Sequence, residues 1–118
     1  MSDHEPEVRL VGSSRKEGDA VVAAVAGEVD LHNSPQLRKE LMELIARHKP
    51  KRMVLNLAQV PYMDSSAIAV LVEVLRKVGK GGKVVLTTLQ PRVRGILEIA
   101  KLNEVFKIAA DEKEGMVL

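Results

Sequence analysis

The segment RMVLNL, residues 52–57, is apolar at every position except Arg52 and Asn56. A strand with one wet face alternates polar and apolar residues; a nearly unbroken apolar run is the mark of a strand covered on both faces. KVVLTTL at residues 83–89 is a second such run. Between the two lies a helix-length stretch, and buried strands alternating with helices imply a mainly parallel sheet joined by crossover connections. Upstream, residues 8–11 and 20–26 read as two β-type runs joined by GSSRKEGD, whose Gly18-Asp19 suits a hairpin turn.

The remaining punctuation fills in the order. Ser34 and Pro35 suit an N-cap and first turn, and Leu37, Leu41, Leu44 and Ile45 follow on one helical face that stops before Pro50. Pro91 opens a third helix with Val93, Ile96, Leu97 and Ala100 on one side. A short strand is expected at residues 105–108, and DEKEGMVL reads as a short last helix. The expected fold is therefore α/β: one domain over residues 1–118, with a mainly parallel sheet of four to five strands. An N-terminal antiparallel edge hairpin and helices packed on the sheet complete it. The core spans about residues 8–111, and residues 1–7 are expected to form a flexible tail.

Composition narrows the chemistry. The 118 residues carry 46% hydrophobic and 29% charged side chains, a globular balance, but only Tyr62 and Phe106 are aromatic. The net charge is +2 and the basic residues are dispersed, so neither a concentrated basic face nor stacking platforms point to nucleic acid. With no cysteine there is no disulfide, thiol nucleophile or thiolate metal site. The opening MSDHEPEV lacks an apolar signal core and no apolar run approaches the ~20 residues of a membrane span, so a cytoplasmic location without membrane insertion is expected.

The stretch PYMDSSAIAVLVEVLRKVG, residues 61–79, holds the most suggestive chemistry. Asp64 and Ser65 are ordinary helix starters, able to accept hydrogen bonds from first-turn amides. A serine there is also a possible chemical handle, because a phosphate at a helix N-terminus meets the positive end of the dipole and free N–H groups. Along the helix, Ile68, Leu71, Val72, Leu75 and Val78 cluster on one side, as expected of the sheet-facing stripe. Ala67, Val70 and Val74 form a second apolar arc. That arc either packs on a neighbouring helix or forms a partly exposed patch for a protein partner.

These features together resemble the STAS-domain anti-sigma factor antagonists. The resemblance is carried by Gly27-Glu28-Val29-Asp30 after the second strand, LNLAQVPYMDSS, the glycine-closed helix with KGGKVVL, and VRGILEIAKLNEVFKI, covering residues 8–111. It implies that Ser65, with Ser66 as second choice, is a phosphorylation site. It further implies a partner surface of Asp30, Asp64, Ser65, Ser66, Ala67, Val70 and Val74. The implied partners are an anti-sigma factor that is itself a serine kinase and a metal-dependent PP2C-type phosphatase, with room for a weak homodimer and no cofactor. Unphosphorylated protein would bind the anti-sigma factor, and phosphorylation would release it. Where that family usually has a Gly-Leu-Gly start, this chain has Ala67-Ile68-Ala69, which favours a stiffer first turn by up to about 1 kcal/mol per alanine.

The resemblance also admits an alternative, an accessory subunit bound to the ATPase of a lipid-transport ABC assembly, with which AIAVLVEVL is compatible. Catalytic readings find little. Asp-Ser-Ser-Ala is no nucleophile elbow, and His4, His32 and His48 lack metal-ligand spacing. GKGGK at residues 79–83 lacks the ending of a phosphate loop and reads as a helix C-cap turning into a strand. No enzymatic activity is expected.

Overall fold

The computed structural model describes residues 9–118; the expectations placed on Val8 and on the tail of residues 1–7 lie outside them. Five strands lie side by side in chain order: β1 (Val11–Glu17), β2 (Ala20–Ala26), β3 (Arg52–Gln59), β4 (Lys83–Thr87) and β5 (Lys107–Ala109). β1 and β2 run antiparallel, and the other neighbours are parallel. Helices α1 (Ser34–His48), α2 (Ser65–Val78) and α3 (Pro91–Ile99) make the crossovers, and a short α4 (Glu112–Gly115) follows β5. No helix among the described residues is long and apolar enough to cross a membrane.

With a consecutive strand order, crossovers of one hand carry α1, α2 and α3 to the same side of the sheet. Val21, Met53, Leu55, Val84 and Leu86 accordingly share one core with Leu41, Leu71 and Leu97 of the three helices. The strand residues of opposite parity, Val22, Val54, Val85 and Ala109, form a second, smaller core with Met116 just after α4. α4 comes close because Gly115 has no side chain: a β-carbon there would meet Thr87 and Val54 at 3.0 and 3.1 Å. Arg52 holds the segment down, its guanidinium donating to the carbonyls of Gly115 (3.0 Å) and Leu118 (2.6 Å). β3 and β4 read as unbroken apolar runs because both their faces are covered.

Four expectations shift. The first strand is not residues 8–11 with SSRKE as a connection; it is Val11–Glu17, and Glu17 pairs directly with Ala20 across the Gly18-Asp19 turn. Gly18 supplies the positive φ of 61° that the turn requires. β1 is an edge strand exposed at every residue after Val11, so it carries no apolar signal, and its charges guard the edge. α1 begins at Ser34 with Asn33, not Ser34, at the cap position, while Pro35 sits in the first turn as expected. α3 ends at Ile99 and leaves Ala100 exposed, and β5 lies at Lys107–Ala109 rather than 105–108.

Glu40 is a buried charge inside α1, 1% exposed. Its carboxylate accepts from the amides of Val11 (2.7 Å) and Leu10 (3.1 Å) and from the side-chain amide of Gln36 (2.7 Å). The backbone entering β1 is thereby pinned to the helix above it. Removing the acceptor strands two buried amides, each costing on the order of 1–3 kcal/mol. Glu40→Ala should therefore lose about 3 kcal/mol and lower the melting temperature by about 10 °C, with Glu40→Gln in between. Thermal unfolding followed by circular dichroism checks this. An unchanged transition in Glu40→Ala would mean that the contact contributes nothing.

Candidate functional site

Past their last paired residues, β2 and β3 stay joined. Gly27 donates its amide to the Gln59 carbonyl (2.9 Å), Val29 to Tyr62 (3.0 Å) and Asp64 to Val29 (3.1 Å). Val29 and Met63 form an isolated parallel bridge and are both buried, so two loops are closed together at the carboxyl ends of the parallel strands. Loops at that edge of an α/β sheet are the usual place for function. Here they deliver Asp64 to the mouth of α2.

Asp64 is the N-cap of α2. Its Oδ1 accepts from the Ser66 hydroxyl (2.5 Å), the Ser66 amide (2.9 Å) and the Ala67 amide (3.3 Å). Its Oδ2 accepts from the amide of Leu31 in the opposite loop (3.0 Å). The Ser66 hydroxyl foremost, with the three amides, holds the carboxyl below its ordinary value near 3.8, outweighing desolvation, which pushes the other way. Asp30 orders the neighbouring loop by accepting from the amides of His32 (2.9 Å) and Asn33 (3.3 Å), and Asn33 ties back to the Asp30 amide (2.8 Å) and the Glu28 carbonyl (2.9 Å).

The two serines differ sharply. Ser66 is half-buried with its hydroxyl committed to Asp64, whereas Ser65 is exposed and its hydroxyl bonds to nothing among the described residues. The site thus brings together Asp30, Asp64, Ser65 and Ser66. It does not present the other three expected residues: Ala67, Val70 and Val74 are 0%, 5% and 0% exposed and belong to the core. The patch reading of that arc is wrong, and the arc packs down against the sheet and α1 instead. The reason is rotational. An apolar arc wider than a sheet contact has two edges, and here the small Ala67 with the β-branched Val70 and Val74 lies at the centre. Ile68, Val72 and Leu75 form the half-buried flank.

The expectation of free first-turn amides also needs correcting, since Asp64 already occupies those of Ser66 and Ala67. A phosphate on Ser65 would compete with that carboxylate or point outward. Two residues at the site were not among those expected to form the partner surface. Leu31 is 76% exposed beside the Asp64 contact, although a leucine in a loop ordinarily reads as a buried anchor. Tyr62 is half-buried, with the Arg92 guanidinium 5.0 Å over its ring, a cation–π contact that joins the β3–α2 loop to α3. Among the described residues no cluster of three or more His, Cys, Asp or Glu could hold a metal ion.

A family model for the STAS domain matches residues 13–115. The anti-sigma-B factor antagonist of Bacillus subtilis (strain 168) is 32% identical over 93 residues, which span 78% of this chain and 84% of that protein. A crystal structure of an anti-sigma factor antagonist from Mycobacterium paratuberculosis matches with a TM-score of 0.80 at 20% identity, over 88% of each chain. The Bacillus cell fate determinant SpoIIAA, solved in the phosphorylated form, matches with a TM-score of 0.65 at 21% identity, over 86% of this chain and 93% of that one. At these identities the two structures speak for the fold alone.

The Asp64 geometry makes a pH-dependent prediction. Its folded-state pKa lies below the unfolded value, so its stabilising effect is full above the ordinary carboxylate range and is lost as pH falls through the depressed folded value. Asp64→Asn keeps an acceptor for the helix but cannot accept from Leu31 with its NH₂ group. At neutral pH this variant should melt below wild type and exchange the Leu31 amide faster. The difference in melting temperature should close in strongly acid solution. A gap that is constant from neutral to strongly acid pH would rule out the carboxylate as its source.

Proposed function

This chain belongs to the STAS-domain family of anti-sigma factor antagonists, non-enzymatic regulators, and from that premise we propose that it works by partner switching at the mouth of α2. With Ser65 unmodified, it binds an anti-sigma factor that is also a serine kinase. With phosphate on Ser65, it lets go. The reading rests on one observation: of the two hydroxyls, only that of Ser65 is exposed and uncommitted. In the switching step the kinase moves the γ-phosphoryl group of ATP onto Ser65 Oγ and the hydroxyl proton leaves. A metal-dependent phosphatase returns the serine by hydrolysis. This chain is the substrate in both steps, and regulation of a sigma factor belongs in the cytoplasm.

Charge does the switching. A phosphoserine carries roughly −1.5 to −2 charges at neutral pH. It would stand beside the Asp64 carboxylate, held ionised by its hydrogen bonds, with Asp30 in the adjoining loop. In solution water screens this crowding, but a partner closing over the site removes the water and leaves the like charges opposed. A penalty of about 3 kcal/mol is enough to weaken binding by about a hundredfold. The apolar part of the surface continues from Ser65 along Ile68 and Val72, at i+3 and i+7, with Leu31 across the loop.

Calorimetric titration against the anti-sigma partner without ATP tests this. Ser65→Ala should bind at least as tightly as wild type and resist kinase labelling. Ser65→Glu should bind about tenfold more weakly with a similar melting temperature, since a carboxylate carries less charge than phosphate. Equal affinity for wild type and Ser65→Glu, or labelling at Ser66, would overturn the assignment. A second pair separates surface from core. Ile68→Asp should reduce binding about tenfold or more with the fold kept, whereas Val70→Asp should unfold the domain by burying an unpaired charge. Native-like melting of Val70→Asp would contradict the placement of that side chain.

A further inference from the structure

α1 and α2 pack side by side, and their outer surfaces leave a groove of about 530 Å³ between them, well away from Ser65. The groove exists because α1 turns a sparse stripe toward α2: Arg38, Met42 and Ala46 recur at i, i+4 and i+8, and the exposed Ala46 is too short to fill its place. Glu73, Arg76 and Lys77 line the α2 side. A second recess of about 350 Å³ shares Ala46 and Lys77 and extends the groove to Lys49. Over its length the rim carries four cations, Arg38, Lys49, Arg76 and Lys77, and one acid. That acid is already taken: Glu73 pairs with Arg38 at 2.7 Å across the groove mouth.

Cations in the last turns of helices ordinarily offset the helix dipole, which accounts for Arg76 and Lys77 in α2. Arg38, the fifth residue of α1, lies past the first turn, beyond the reach of the dipole, and Glu73 is its partner. The apolar floor of Met42 and Ala46 also distinguishes the groove from a phosphate-backbone track, which would need no such floor and would gain from aromatic platforms. From Arg38 to Lys49 the groove spans about 16 Å at 1.5 Å per residue, about three helical turns.

We propose that this groove docks an acidic amphipathic helix of a partner protein. Apolar residues at i, i+4 and i+7 of that helix rest on Met42 and Ala46, and flanking carboxylates reach Arg76, Lys77 and Lys49. The incoming acids also compete with Glu73 for Arg38. Glu73 lies eight residues beyond Ser65, about 12 Å along α2, so this contact does not depend on the state of Ser65. It provides a second point of attachment to the same or another partner.

The test is an NMR titration of the full chain with a synthetic three-turn helical peptide carrying leucines on one face and glutamates elsewhere. Controls are the same peptide with lysines for glutamates, a shuffled sequence, and a single-stranded oligonucleotide. The glutamate peptide should shift the Met42 methyl and Ala46 signals first. Arg76→Glu combined with Lys77→Glu should weaken binding about tenfold. Glu73→Gln should tighten it about two- to threefold by removing the internal competitor. Ser65→Glu should change nothing here, which keeps this result separable from the switching test. The proposal is overturned by no shift at millimolar peptide, by equal binding of the lysine or shuffled peptide, or by insensitivity to the charge reversal. Tighter binding of the oligonucleotide at the same residues would overturn it in favour of nucleic acid.

Discussion

The carboxylate of Asp64 spends its two oxygens on different parts of the molecule, and the functional end of the fold depends on that division. Oδ1 closes the first turn of α2, while Oδ2 reaches across to the amide of Leu31. A helix cap alone would fix where α2 begins, and a loop contact alone would fix where residues 27–33 lie. One group doing both locks the helix start, and hence Ser65, to the loop carrying Asp30 and Leu31. The backbone bonds from Gly27, Val29 and Asp64 position the carboxylate, so the β2–β3 pairing is transmitted directly to the exposed serine.

That arrangement also gives meaning to the alanines that follow. The methyl of Ala67 lies wholly in the core and only that of Ala69 reaches the surface, so the departure from a glycine-rich start adds one methyl, not two, to what a partner meets. The other methyl packs inside and favours a fixed first turn. A stiff helix start fixes the backbone that carries the exposed Ser65 hydroxyl.

Much of this was legible in the chain, for identifiable reasons. α2 was readable from Asp64 to Gly79 because caps and terminators are local chemistry, and β3 and β4 because burial on both faces leaves an unbroken apolar run. β1 was hidden because an edge strand facing water looks like a loop. The rotation of α2 was hidden because a wide apolar arc does not announce its centre; that depends on how closely α1 and the sheet approach. Glu40 was hidden because a carboxylate within a helix reads as solvated, and only the fold shows two backbone amides arriving beside it. The Leu31 amide is held by a carboxylate 33 positions away, a contact that no local pattern records.

Strand order identical to chain order has a consequence for assembly. Each new strand finds its partner in the unit completed just before it, so the helical side of the domain can be built stepwise from the amino end, one helix-bearing crossover at a time. The opposite side cannot. Val22, Val54 and Val85 stay open to water until α4 arrives, and Arg52 waits 63 residues in sequence for the Gly115 carbonyl. During synthesis the half-made domain therefore carries a bare valine stripe, the kind of transient surface that invites association between nascent chains. A cap of a few residues at the carboxyl end thereby becomes a guard against misassembly, beyond its small share of the final packing.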